Sequence, residues 1–166
     1  MEAIVVTAPD EYYGVEWRKR PSLFLAGGIT GCEVWQSKMI EAMKNDPVII
    51  YNPRRKHFDI TNPSAAEVQI AWEFDKLLKA TAVSFWFSLG TSNPIVLYEL
   101  GMWGNSREDR PIIIGMDDGY VRKQDVIIQT ALARPEVPVF TNFTVFVSQV
   151  RYMMKMIKED SIRSEE

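Results

Sequence analysis

Apolar segments of strand length alternate along the chain with segments whose apolar residues recur at helical spacing. The short apolar runs predict five strands, at Leu23–Ala26, Val48–Tyr51, Ala82–Phe87, Ile112–Gly115 and Val137–Phe140. The helical spacing predicts helices over about Glu33–Lys44, Ala65–Lys79, Pro94–Asn105, Asp125–Ala133 and Thr144–Lys158. Because strands that alternate with helices form parallel sheets covered on both faces, we predict an α/β, doubly wound domain with a five-stranded sheet.

The two ends of the chain fall outside this alternation. The early segment AIVVT is either an extra edge strand or part of a lead-in over residues 1–20, and residues 158–166 resemble a frayed tail. A chain of 166 residues with 46% hydrophobic content is long enough to bury one full core. We therefore predict a single flavodoxin-like or Rossmann-like domain.

The composition argues against several classes of protein. A net charge of -3 gives no general attraction to nucleic acid or to acidic membranes. No apolar run reaches membrane-spanning length, and no signal peptide is visible. The single cysteine, Cys32, excludes an internal disulfide, and the single histidine, His57, has no partner at metal-site spacing. We expect a cytoplasmic protein without a bound metal.

The loops that follow the predicted strands are the most polar and glycine-rich parts of the chain. In a doubly wound sheet these loops gather at one edge, where ligands bind. The first loop, AGGITG, contains Gly27 and Gly28 and opens a helix, so its amides can approach a ligand closely. The alternative is a tight strand-to-helix turn, because neither a dinucleotide fingerprint nor a P-loop is present.

Glu99 is the most informative polar residue, because apolar residues surround it in the segment SNPIVLYELGMW. Asn93 suits a helix N-cap and Pro94 the first helical position. Helical spacing places Glu99 on one face with apolar neighbours, and carboxylates are rarely buried without a function. The alternative is an acid solvated in the front half of a helix.

A second acid, Glu73, lies at the edge of an apolar stripe in the preceding helix. That stripe is predicted from residues at helical spacing, namely Ala66, Ile70, Phe74, Leu77 and Leu78. Glu73 is then better placed than Asp75 to face the crevice, and the alternative is that both acids are solvated.

Three further residues are candidates for substrate contact. Arg54 and Arg55 follow a strand, where two guanidinium groups could hold a phosphate, although solvated loop charges are the more common case. Trp35 lies near an element that edges the crevice and could form a flat wall for a planar base. The alternative for Trp35 is a place in the core.

With these residues placed, the chain resembles the nucleoside 2-deoxyribosyltransferase superfamily from about Leu23 to Gly115. The resemblance rests on LAGGITG, an NPRR loop, a WE pair and an ELG helix, which occur in this order. It implies that Glu99 is the nucleophile and that Glu73 orients the sugar hydroxyls. It also aligns Asn93 with an aspartate that contacts the base, and Phe24 with an aromatic residue that is often tyrosine.

The resemblance implies cleavage or exchange of the N-glycosidic bond of 2′-deoxynucleosides through a deoxyribosyl–glutamate intermediate. No metal or redox cofactor is implied, and the partners are a nucleoside or nucleotide and a free nucleobase. The alternatives are an N-glycosidase acting on nucleoside monophosphates and a non-catalytic nucleotide-binding or nucleotide-sugar-binding module. Members of the superfamily form homo-oligomers with shared sites, for which Gln124 and Asp125 are candidates here.

Overall fold

The structure is a computed structural model, and it describes residues 1–15, 19–56, 61–105 and 110–163. The predictions for His57, for part of the lead-in and for the last three residues of the tail lie outside the described residues. In the described part of the chain, no helix is long and apolar enough to cross a membrane.

Six parallel strands form one sheet in the described part of the chain. In chain order they are β1 Ile4–Thr7, β2 Ser22–Gly27, β3 Ile49–Asn52, β4 Ala82–Phe87, β5 Ile112–Met116 and β6 Val139–Phe140. Their order across the sheet is β1-β3-β2-β4-β5-β6. The predicted doubly wound α/β fold is confirmed, and the early AIVVT segment supplies the sixth strand, which pairs with β3 at the edge.

Helices cover both faces of the sheet. They are α1 Trp35–Met43, α2 Pro63–Lys79, α3 Pro94–Glu99, α4 Lys123–Ala133 and α5 Phe143–Arg163, and a π-helix at Leu100–Asn105 directly follows α3. One apolar cluster packs α2, α3, the π-helix and α4 against one face, and a second packs α1 and α5 against the other. Every residue of β2, β4 and β5 is buried, which explains their continuous apolar runs.

The segment after Glu99 departs from the predicted single α-helix. The π-helix that begins at Leu100 changes the helical register immediately beyond the buried acid. Gly104 permits this packing, because a Cβ there would lie 2.8 Å from Leu100 Cδ1. Arg134 donates from Nη1 to the Gly104 carbonyl at 3.1 Å and so satisfies an acceptor near the end of the helix.

The predicted apolar stripe of α2 is confirmed at Leu77, which is buried, but most of its other large residues face solvent. Ile70, Phe74 and Leu78 are exposed by 65%, 52% and 47%. The buried face instead contains Trp72 and Lys76, which take their polar partners from the lead-in. Trp72 donates from Nε1 to Asp10 O at 2.8 Å, and Lys76 pairs with Glu11. Periodicity within α2 could not reveal these partners, because they lie more than sixty residues away in sequence.

Candidate active site

A crevice of about 480 Å³ lies at the carboxyl ends of β2 and β4. The chain leaves β2 toward β3 and leaves β4 toward β5, so neighbouring connections diverge at this point. Such topological switch points are where doubly wound sheets bind ligands. The crevice is lined by residues 27–30 at and just after the end of β2, by Phe24 of the same strand, and by residues of α2 and α3. Gly27 and Glu99 therefore share one crevice, as the sequence predicts.

Glu99 lies at the end of α3 and lines this crevice, and only 8% of the residue is exposed. Burial raises the pKa of Glu99 to about 8, and the negative charge of the nearby Glu73 adds to the rise. The crevice thus contains an acid whose pKa lies well above its ordinary range. Strongly perturbed acids in clefts are candidates for chemistry.

Glu73 enters the crevice from α2 and is oriented by Gln69, one turn earlier on the same helix. Gln69 donates from Nε2 to Glu73 Oε1 at 2.7 Å and to Pro53 O at 2.8 Å. Burial raises the pKa of Glu73, while the Gln69 hydrogen bond and the Arg55 charge oppose the rise. Asp75 instead pairs with Lys76 and Lys79. The sequence analysis missed Gln69, which its i,i+4 spacing from Glu73 could have indicated.

Two glycines allow close packing around the end of β2. A Cβ on Gly28 would lie 2.2 Å from Asn93 Oδ1 and 2.4 Å from Cys32 Sγ. A Cβ on Gly27 would lie 2.4 Å from the Trp35 ring. A side chain at Gly28 would therefore push against Asn93 across the crevice, whereas one at Gly27 would push against Trp35 beneath the loop.

Asn93 lines the crevice in a left-handed backbone conformation, with φ 48° and ψ 54°. Asn93 occupies the N-cap position of α3 with Pro94 following it, as predicted, but its side chain makes no capping hydrogen bond. It donates from Nδ2 to the carbonyls of Ser88 at 2.9 Å and Thr91 at 3.0 Å, and so closes its own loop. Asparagine tolerates this conformation because its short polar side chain bonds locally.

The comparison with known families agrees with this geometry. The family model described as nucleoside 2-deoxyribosyltransferase like matches residues 20–120. The chain belongs to this family. The resemblance inferred from the motifs is thereby confirmed at the level of the nucleoside 2-deoxyribosyltransferase-like family, and the matched segment includes every residue that lines the crevice. No curated protein matches the chain.

Within this nucleoside 2-deoxyribosyltransferase-like chain, Trp35 does not line the crevice. The residue is 1% exposed and belongs to the cluster on the opposite face of the sheet. Its ring packs beneath Gly27, and Nε1 donates to the Gly28 carbonyl at 3.3 Å. The predicted flat wall for a base is therefore corrected to a support beneath the glycine loop.

The two adjacent arginines have different surroundings. Arg54 does not line the crevice; its guanidinium donates to the Ile29 and Cys32 carbonyls from Nη2 at 3.0 and 3.1 Å. Arg55 does line the crevice, and its positive charge acts on Glu73. Of the two candidate phosphate ligands, only Arg55 is in a position to meet a substrate.

The remaining candidate residues differ in burial: Phe24 is in the core, whereas Gln124 and Asp125 are at the surface. Phe24 is fully buried and lines the crevice. Gln124 and Asp125 are exposed at the start of α4 and do not line the crevice of their own chain. Asp125 lies 3.6 Å from Arg122. A role for this pair in the site of a neighbouring subunit stays a prediction.

Proposed function

We propose that the protein cleaves or exchanges the N-glycosidic bond of 2′-deoxynucleosides, with Glu99 as the nucleophile. The observation that carries this proposal is a buried carboxyl group at the switch point of the sheet, with a second acid beside it. Family membership supports a nucleoside as the substrate class. The roles of Glu99 and Glu73 are inferred from this placement and from the family's motifs.

In the proposed reaction, the ionised Glu99 carboxylate attacks C1′ of the sugar. The C1′–N bond breaks, and the base leaves with the bonding electrons and takes up a proton. A nitrogen of a second base then attacks C1′ from the vacated side, releases the proton that it carried, and displaces Glu99, which restores the carboxylate. Glu73, held by Gln69, orients the sugar through its hydroxyl groups. The negative charge of Glu99 stabilises the oxocarbenium-like transition state.

Arg55 favours a second candidate, an N-glycosidase that acts on nucleoside monophosphates. A guanidinium group in the crevice can bind a phosphate through two parallel hydrogen bonds. Water would then replace the acceptor base in the second step. The same two acids serve both reactions, because only the second nucleophile differs.

The test is incubation with 2′-deoxynucleosides and their 5′-monophosphates, with and without an acceptor base. New nucleoside that appears only with the acceptor indicates transfer, and free base without the acceptor indicates hydrolysis. Binding of the same compounds without any product, measured by calorimetry, would instead support a binding module.

We expect the Arg55→Ala variant to discriminate against phosphorylated substrates. If Arg55 binds the phosphate, kcat/KM should fall at least about tenfold more for a monophosphate than for the matching nucleoside. Lys56→Ala, which removes a neighbouring exposed charge, is the control and should affect both substrates equally. Equal losses in Arg55→Ala for both substrates would remove the phosphate role.

We also propose that the protein is a homo-oligomer, a dimer or larger. Apolar side chains point outward from α2 and α3 beside the crevice, with Ile70 65% exposed and both Ile95 and Tyr98 64% exposed. Such exposed groups favour association. Light scattering at micromolar concentration should give at least twice the monomer mass. The Ile70→Lys, Tyr98→Lys double variant should dissociate, whereas Ile162→Lys on α5 should not; a monomeric wild type would contradict the proposal.

A further inference from the structure

The guanidinium of Arg54 donates to four oxygen atoms. Three belong to the loop between β2 and α1, and the fourth belongs to the first turn of α1. Nη2 donates to Ile29 O at 3.0 Å and to Cys32 O at 3.1 Å. Nη1 donates to Glu33 O at 3.0 Å and to Gln36 Oε1 at 3.1 Å. Three of the four acceptors are main-chain carbonyls in the loop that connects β2 to α1. A single side chain thus forms hydrogen bonds with three carbonyl groups of this loop.

The loop needs such a partner because regular structure does not satisfy it. Residues 28–34 belong to neither strand nor helix, and Val34 gives α1 no side-chain cap. The carbonyl groups of this loop thus lie outside the regular hydrogen-bond pattern of a strand or helix, and Arg54 supplies N–H groups to three of them. Arginine supplies several N–H groups in a rigid planar fork, which a lysine ammonium cannot reproduce.

Arg54 and its partner Gln36 are each hydrogen-bonded to other parts of the fold. On the β3 side, the Arg54 amide donates to Asn52 Oδ1 at 3.1 Å, and Asn52 is 8% exposed. On the α1 side, Gln36 is fully buried and donates from Nε2 to Gly28 O at 3.2 Å. The chain of contacts from Arg54 through Gln36 therefore ends at Gly28, which lines the crevice.

We propose that Arg54 is a positioning residue that holds the glycine-rich loop, residues 28–33, as one wall of the crevice. It sets the affinity for substrate without touching the substrate. This inference rests on the proposed function of the same crevice for its kinetic consequence. Its structural consequence is independent of that function and can be measured separately.

Cys32 reports on the loop directly, because it is the only cysteine of the chain. Its Sγ lies 3.6 Å from Thr30 O and 3.7 Å from Asn93 Oδ1, and burial raises the pKa of the thiol. Release of the loop should expose the thiol to Ellman's reagent. The Arg54 charge lowers the pKa of Cys32, so loss of that charge alone would slow the labelling. Faster labelling therefore reports movement of the loop.

The experiment compares wild type, Arg54→Ala and Arg54→Lys, with Arg151→Ala as the matched control. Arg151 makes a two-pronged contact with Asp46, at 2.7 and 2.8 Å, and neither residue lines the crevice. We expect Ellman labelling under native conditions to accelerate at least about fivefold in both Arg54 variants and to be unchanged in Arg151→Ala. Arg54→Lys keeps the charge but cannot reach four oxygens, so it should not restore the wild-type rate.

The kinetic arm measures the substrate that the wild-type protein turns over best among the 2′-deoxynucleosides. We expect KM to rise about tenfold in the Arg54 variants, with kcat within about threefold and the pH profile of kcat unchanged. Wild-type labelling rates in folded Arg54→Lys would overturn the inference, as would a fall in kcat at constant KM. If the wild type turns over no nucleoside or nucleotide, the proposed function fails, and the labelling arm still decides whether Arg54 holds the loop.

Discussion

The Glu99→Gln variant is expected to fold and bind substrate but to lose turnover by about 10³-fold or more. The amide is nearly isosteric with the carboxyl group, so the packing around residue 99 in α3 is preserved. An amide is a far poorer nucleophile, however, and it cannot balance the positive charge that develops on the sugar. The loss should therefore appear in kcat rather than in substrate binding.

Mass spectrometry of enzyme quenched during turnover provides the decisive measurement. A deoxyribosyl mass should appear on the peptide that contains Glu99 and should be absent from Glu99→Gln. Glu67→Gln, an exposed glutamate on α2, is the control and should retain both turnover and adduct. Retained turnover in Glu99→Gln would eliminate the covalent mechanism and leave another acid or a binding function.

The second large effect is a rise in activity with pH through about 8. The reaction needs the ionised form of Glu99, and burial raises the pKa of this acid to about 8, with a further contribution from the charge of Glu73. The protonated fraction is inactive, so kcat/KM, which reports the ionisation of the free enzyme, should fall as pH decreases below that value. Glu73→Gln removes the neighbouring charge and should shift the midpoint of this limb to lower pH while reducing the maximal rate.

The midpoint shift separates two roles of Glu73. If Glu73 acted only by orienting the sugar, kcat would fall in Glu73→Gln with the midpoint unchanged. Asp75→Asn changes a carboxylate on the same helix that pairs with lysines outside the crevice, and the midpoint should not move in that variant. A pH-independent kcat/KM between pH 6 and 9 would contradict the assignment of Glu99 as the titrating group.

The same acid links stability to pH. The folded-state pKa of Glu99 is raised to about 8 from the ordinary 4.5, so the folded protein binds this proton more tightly than the unfolded chain. Stability should then decline as pH rises from about 4.5 to about 8, by at most about 5 kcal/mol from this group. Glu99→Gln should remove that decline and be more stable than wild type at pH 8, which denaturant unfolding at several pH values can measure.

The repeating pattern along the chain was sufficient to predict the architecture. Buried parallel strands are apolar throughout, so segments such as Ala82–Phe87 stand out, and the predicted bounds of this strand agree with β4. Once strands and helices alternate, the loops after the strands must gather at one edge. This argument placed Gly27 and Glu99 in one crevice without any knowledge of contacts. The motifs in those loops also predicted the family correctly.

Details that depend on distant partners could be decided only by the tertiary structure. The buried face of α2 includes Trp72 and Lys76, whose polar partners Asp10 and Glu11 lie in the lead-in, whereas the predicted stripe residues Ile70, Phe74 and Leu78 are exposed. The different roles of Arg54 and Arg55 follow from carbonyl groups of the β2–α1 loop, which no side-chain pattern encodes. Sequence spacing indicates the local geometry of one element. Hydrogen bonds to main-chain atoms elsewhere in the fold help to determine which face of that element is buried and which charged side chain lines the crevice.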